Sequence, residues 1–350
     1  MKTTIKIALA LLFFFFLLGI KGAKALDEFT KVIKREYAVN PDAQLTVNNR
    51  FGKIHCSNWD KPAVAIEVTV RVFARNQEEA EKLFRRINIS MNATPGSVSA
   101  ETDLGDMKTN GKSKFSIDYM ISMPASLGID LTNKFGDIFV NEVNGKARIS
   151  LGYGNLDARR LGNSDNLLDI RFAKARVNWI KGAVLSLKYS EMDLDYAGSL
   201  RLDSKFSDLD ADKIIALNVV FEGGKLNMEK SSAVESRSRF SDIDIGRIEQ
   251  SLNLDIQYGS CEVGEMAAEF TSVSIRNKYG DVSVGLSGQA RYALDADLKF
   301  CDLDFPEERA HLSYRAVTGT SKTYRGTVGG NESPAARVTV NSEFGNVSLQ

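Results

Sequence analysis

The amino-acid sequence predicts an all-β protein: a right-handed parallel β-solenoid, or β-helix, of about 18-residue rungs, with an N-terminal β cap that carries one short helix. Three observations support that expectation. A phrase centred on an aromatic residue recurs, most cleanly as Lys134-Phe135-Gly136-Asp137-Ile138 and Lys278-Tyr279-Gly280-Asp281-Val282. Its aromatic falls at Phe51, Phe135, Tyr153, Phe172, Tyr189, Phe206, Phe221, Phe240, Tyr258, Tyr279, Phe300 and Phe344. From Phe135 to Phe300 the steps are 18, 19, 17, 17, 15, 19, 18, 21 and 21 residues. A near-constant period of this length marks stacked supersecondary units, and the handedness follows the preference of parallel crossovers.

Within one phrase, the aromatic is position zero. Around Tyr258 the apolar residues are Leu252, Leu254 and Ile256, then Cys261 and Val263; around Phe300 they are Leu294, Ala296 and Leu298, then Leu303 and Phe305. Inward side chains are therefore expected at −6, −4, −2 and zero, and again at +3 and +5. Alternation marks a strand with one buried face. The phase slips after the aromatic, which places a corner at +1 and +2, where Gly-Asp, Gly-Asn or Ser-Asp often stands. Like residues should stack over like, with the aromatics as an internal column. Position −1 is mostly basic (Arg50, Lys134, Arg171, Lys188, Lys205, Arg239, Lys278, Lys299), and +2 and +4 are largely acidic (Asp137, Glu191, Asp193, Asp208, Asp210, Asp242, Asp244, Asp281, Asp302, Asp304). These are expected as solvated ladders that fix the register, because a one-residue slip would bury them.

The chain begins with the pattern of a secretory signal, residues 1–25. Lys2 and Lys6 precede an apolar run from Ile7 to Ile20, and Ala23-Lys24-Ala25 matches a small-x-small cleavage site. A membrane anchor is the alternative, but the run is short for a span and Lys21 and Lys24 close it. Cleavage would leave 41 basic and 45 acidic side chains, a balance that argues against nucleic acid as a partner. No later apolar run approaches spanning length, so no membrane span is expected in the mature chain. Cys56, Cys261 and Cys301 read as core fillers and not as a disulfide framework.

Residues 26–128 read as an N-terminal β region with the first rung and cap. Val64, Ile66, Val68, Val70 and Val72 alternate; Asn76 to Arg86 is a helix with Asn76 as N-cap and Glu79 three residues on. Phe115, Ile117, Tyr119, Ile121 and Met123 form another strand, stopped by Pro124, and residues 103–112 form a loop. Residues 129–305 hold the regular rungs. Residues 306–350 begin with a polar, Gly- and Thr-rich excursion from His311 to Pro334 and end in a final rung at Val338, Val340, Phe344, Val347 and Leu349.

The stretches Leu45 to Ile54, Ile121-Ser122-Met123-Pro124, Asn133-Lys134-Phe135-Gly136-Asp137-Ile138 and Phe344-Gly345-Asn346-Val347 carry a resemblance. The chain is similar to a bacterial family of exported proteins of unknown function, labelled "putative adhesins" and of the head-GIN-like adhesin type. The resemblance implies a parallel β-solenoid over nearly all of the mature chain and supplies no catalytic residues.

Chemistry-bearing motifs are scarce. His55 and His311 are the only histidines, and both read as solvated, since no metal-spaced cluster or triad partner accompanies them. Gly223-Gly224 matches no phosphate-cradling fingerprint and reads as a bulge. The acidic ladder raises calcium binding, which the neighbouring lysines and the absent glycine-aspartate nonapeptide oppose. A polysaccharide-degrading β-helix enzyme (lyase or glycosidase) is the alternative function; short loops between rungs and only two tryptophans, Trp59 and Trp179, speak against it. The expected function is that of an exported, non-catalytic, adhesin-like cell-envelope protein, periplasmic or surface-exposed, needing no cofactor and no metal. It would bind a glycan or protein partner through a rigid face, with Trp59, Trp179, Tyr196 and the 306–337 stretch as possible contacts.

Overall fold

A computed structural model describes residues 26–105, 115–330 and 334–350. The expected signal segment and most of the 103–112 loop lie outside the described residues. The protein is all-β, with one α-helix, Gln77–Phe84, and a single 3-10 turn, Glu307–Arg309, among the described residues. Its strands join one sheet that mixes parallel and antiparallel pairs.

The parallel part follows the sequence period. Ile149 pairs with Leu131 and Tyr153 with Phe135; Leu185 pairs with Leu202, and Leu202 with Val219. Equivalent residues of the phrase thus lie side by side along the sheet, which lets each strand satisfy its neighbour's backbone groups. Positions −6, −4, −2, +3 and +5 are buried as expected, for example Leu252, Leu254, Ile256, Cys261 and Val263. Together they form one continuous hydrophobic core.

Antiparallel pairs occupy both ends of the sequence. Asp27–Ala38 pairs with Ala63–Ala74, which pairs in turn with Phe115–Met123, and Asn88–Thr94 pairs with Ser97–Asp103. The helix Gln77–Phe84 starts where expected: the Asn76 side chain accepts a hydrogen bond from the Glu79 backbone N–H at 2.9 Å, and Ala80 is buried. The stretch read as a polar excursion is a hairpin. Ala310–Thr318 pairs with Ser321–Val328, and the latter covers Tyr292–Lys299 antiparallel. A bare strand edge recruits such a partner through its backbone, whatever the polarity of the side chains. The last copy of the phrase is not terminal in space. Ala336–Glu343 lies in parallel between Ser272–Lys278 and Tyr292–Lys299.

Candidate binding face

The aromatics of the phrase do stack, but on the surface. Phe51, Phe135, Tyr153, Phe172, Tyr189 and Phe206 form one run, and Phe240, Tyr258, Tyr279, Phe344 and Phe300 form another. Successive ring centroids are 4.7–5.4 Å apart and ring planes 3–15° from parallel. From Tyr153 onward these rings are 42–65% exposed. The expectation of an internal column is therefore corrected, and the reason is in the backbone. Phe172, Tyr189, Phe206, Phe240, Tyr258, Tyr279, Phe300 and Phe344 all have φ between +49° and +59°. From Phe172 onward a left-handed residue turns the chain at position zero itself and throws its side chain outward; at Phe51, Phe135 and Tyr153 the glycine at +1 takes the positive φ, as expected. Bulky side chains avoid the left-handed region, at a cost of order 1–3 kcal/mol each.

Neighbouring side chains hold the corners. Ser190, Ser207 and Ser241 stand at +1, and each donates its Oγ–H at 2.8 Å to the carbonyl of position −1, on Lys188, Lys205 and Arg239. The same oxygens accept from the N–H groups of Ala173, Ser190 and Gly223 in the preceding segment. Elsewhere a buried residue at −2 does this work: Asn277 Nδ2 donates to the Gly280 carbonyl at 2.6 Å, and the Ser342 hydroxyl to that of Gly345 at 2.5 Å. Ring stacking, about 0.5–1.5 kcal/mol per pair, offsets part of the strain.

Charged rows border the ladder on both sides, facing outward as expected. On the −1 side Arg50, Lys134 and Lys278 lie over the rings of Phe51, Phe135 and Tyr279 at 5.5–5.8 Å. On the +2 side Asp137 accepts from the Asn155 N–H at 3.0 Å, and Asp208 from the Lys225 N–H at 2.9 Å. Each row largely balances itself: Lys205 pairs with Glu222 at 3.0 Å, Lys278 with Glu343 at 3.3 Å, and Lys174 with Glu191 at 2.5 Å. The Glu191 and Glu222 hydrogen bonds raise the pKa values of Lys174 and Lys205. Beside Phe172, Tyr189 and Phe206 the surface forms an open groove of about 560 Å³, edged by Lys174, Glu191 and Asp208.

One step of the ladder is empty. Phe221 pairs with Ser204, which puts it at position −2, fully buried. Position zero of that segment is Gly223, with φ +71°. The correction regularises the period: Phe206, Gly223 and Phe240 are 17 residues apart. Phe221 fits the core because small Ser204 and Ser238 stand 17 residues before and after it. Sequence reasoning took the nearest aromatic for the motif; the even spacing would have picked Gly223.

The other expected sites fall elsewhere. Trp179 stacks on Tyr196 at 5.8 Å, with Arg160 over its outer face at 3.9 Å. Trp59 is half-buried and donates its indole N–H to the Ala63 carbonyl at 2.7 Å. His55 is half-buried against Phe139 at 4.3 Å, and burial, then Lys53, lowers its pKa; it is less solvated than expected. His311 is exposed. Burial pushes the Cys56 and Cys261 thiols up to about 12, while Cys301 is half-exposed, and all three are free. Among the described residues no group of three or more His, Cys, Asp or Glu is placed to hold a metal ion, and no helix is long and apolar enough to cross a membrane. A wider trough of about 800 Å³ runs past Ala183, Ser199, Ala216 and Ala233. Its lining mixes these small residues with Val184, Arg201, Asn218 and Glu235, and it contains no aromatic ring.

No family model and no curated protein matches the chain. Solved structures with some likeness include a "putative cell adhesion protein" from Clostridium sporogenes (9% identity, covering 92% of this chain and 99% of that one, TM-score 0.23). A "putative adhesin" from Bacteroides fragilis (12%, 91% and 97%, TM-score 0.28) and a "putative lipid binding protein" from Parabacteroides distasonis (10%, 91% and 97%, TM-score 0.29) are further cases. Scores this low establish neither a shared fold nor a shared activity.

Proposed function

We propose that the chain is an exported, non-catalytic, adhesin-like protein of the cell envelope that holds a protein or glycan partner against its aromatic corner. In this reading it is a right-handed parallel β-solenoid, with an N-terminal β region over residues 26–128, regular rungs over 129–305 and a C-terminal segment over 306–350. Parallel pairing at the sequence period supports the solenoid, and the signal pattern of residues 1–25 supports export. The observation that carries the binding role is the exposed ladder. Folding does not require bulky aromatics in left-handed backbone when glycine turns the same corner at Gly52, Gly136 and Gly154. Strain retained at solvent-exposed residues is a mark of function, and exposed aromatic rings with charged borders are the composition of binding surfaces. At +2, Asp137, Asp208 and Asp281 accept from backbone amides and Glu191 pairs with Lys174, which favours a scaffold over an acid–base pair. Glycan arrays and protein capture with the mature chain test the reading. Binding that is lost in a Phe172→Ser, Tyr189→Ser double variant supports it; retained binding, or turnover of a polysaccharide, contradicts it.

A further inference from the structure

We propose that the empty step at Gly223 is a slot for one planar aromatic ring, an uncharged aromatic side chain projecting from a partner protein. The inference rests on the ladder's being the binding face and specifies the chemistry of its centre. Apart from the outer faces of the end rings Phe51 and Phe300, each ring face elsewhere in the ladder is taken up by a neighbour 4.7–5.4 Å away, so the corner shows mainly ring edges to solvent. Only at the break do two interior faces, those of Phe206 and Phe240, lack a ring partner among the described residues. Phe240 is also the most exposed ring of the ladder, at 65%.

The dimensions suit a single ring. Two strand spacings of about 4.8 Å separate the segments of Phe206 and Phe240, so a ring midway would lie about one ladder step from each. The ladder's own members are flat, and a pyranose chair is thicker. The backbone at Gly223 is left-handed, like that at Phe206 and Phe240, although the turn continues into Gly224 at φ +106°, where Ser207 and Ser241 have no positive φ. Phe206 leans over the vacancy: its Cδ1 lies 2.8 Å from where a Cβ on Gly223 would stand. Its plane is 15° from that of Tyr189, the widest angle in the ladder. An entering ring pushes Phe206 back toward parallel and gains two stacking contacts.

Charge points to a neutral occupant. At the break both rows reverse sign: Glu222 stands between Lys205 and Arg239, and Lys225 between Asp208 and Asp242. Lys205 engages Glu222, and the Lys225 N–H donates to Asp208. The mouth is therefore locally neutral, where a carboxylate- or phosphate-bearing ring would find no net attraction.

The test is titration of the mature chain with N-acetyl-phenylalanine amide, followed by proton NMR of the probe's ring. Sandwiching between two rings shifts those protons upfield. Gly223→Phe, which completes the ladder, should weaken binding by about tenfold or more with an unchanged circular dichroism spectrum. Phe240→Leu, which removes one face and leaves the backbone free to fold, should also weaken it. No binding to the parent chain, equal binding to Gly223→Phe, or equal displacement by methyl glucoside would overturn the slot. The wider reading is separable: Gly223→Phe keeps every other ring and both charged rows. A partner captured equally by parent and Gly223→Phe, yet lost with the Phe172→Ser, Tyr189→Ser variant, would leave the ladder as the binding face without a slot.

Discussion

The corners at Phe51, Phe135 and Tyr153 and those from Phe172 onward solve one geometric problem in two ways. In the first set glycine at +1 takes the positive φ, at +111°, +133° and +142° for Gly52, Gly136 and Gly154. These three pack backbone to backbone; a Cβ on Gly136 would lie 1.9 Å from the Gly52 carbonyl oxygen. Phe51 and Phe135 stay half-buried. In the second set the aromatic takes the left-handed conformation, and +1, no longer at positive φ, is Ala173, Ser190, Ser207 or Ser241 at some corners and closely packed Gly259, Gly280 or Gly345 at others. The chain therefore possesses an unstrained corner and largely abandons it. Every ring of the second kind protrudes, whereas in the first kind only Tyr153 does and Phe51 and Phe135 stay half-buried.

Beneath the corners the two regions share one core, and alkaline unfolding should treat them alike. Cys56 and Tyr119 lie in the first region, Cys261 and Tyr292 in the second, and burial raises each to about 12. Above about pH 9 for the thiols and pH 10 for the phenols the unfolded chain loses protons that the folded chain keeps. Stability then falls as pH rises toward 12, by roughly 1.4 kcal/mol per pH unit per group. Denaturant melts from pH 8 to 11 measure the slope; a flat profile would mean that these groups are accessible. At pH 8 a thiol reagent should modify Cys301 and spare Cys56 and Cys261.

The corners themselves should respond differently. Gly136→Ala, with both a forbidden φ and a backbone clash, should cost about 3 kcal/mol in a urea melt. Phe135→Gly, at a half-buried ring, should cost about 2 kcal/mol. Ser207→Ala leaves the Ser190 N–H without its acceptor and should cost about 1–2 kcal/mol. Tyr258→Gly, which trades two stacking contacts for relief of left-handed strain, should stay within about 1 kcal/mol of the parent. If Phe135→Gly and Tyr258→Gly cost the same, the two kinds of corner are not distinct.

Much of this was legible in the sequence. Alternation at −6, −4 and −2 and the phase slip to +3 and +5 gave the buried positions correctly, because side-chain direction in a strand follows parity. Asn76 with Glu79 marked the helix start through capping chemistry alone. The direction of the aromatic was not legible. Parity placed it inward, and the backbone rotation that sends it out leaves no trace in hydrophobicity. Phe221 was mistaken for the motif because composition outweighed spacing. The insertion of Ala336–Glu343 between two earlier strands was hidden for another reason: every copy offers the same alternating face, so the pattern does not specify which copies pair.

Surface labelling of tyrosine with tetranitromethane, read by peptide mass spectrometry on the folded mature chain, tests the central claim most directly. Tyr153, Tyr189, Tyr258 and Tyr279, 42–55% exposed in the ladder, should be nitrated, and fully buried Tyr119 and Tyr292 should be spared until the chain is unfolded. Protection of the four ladder tyrosines in the folded chain would place the aromatic column inside and contradict the account.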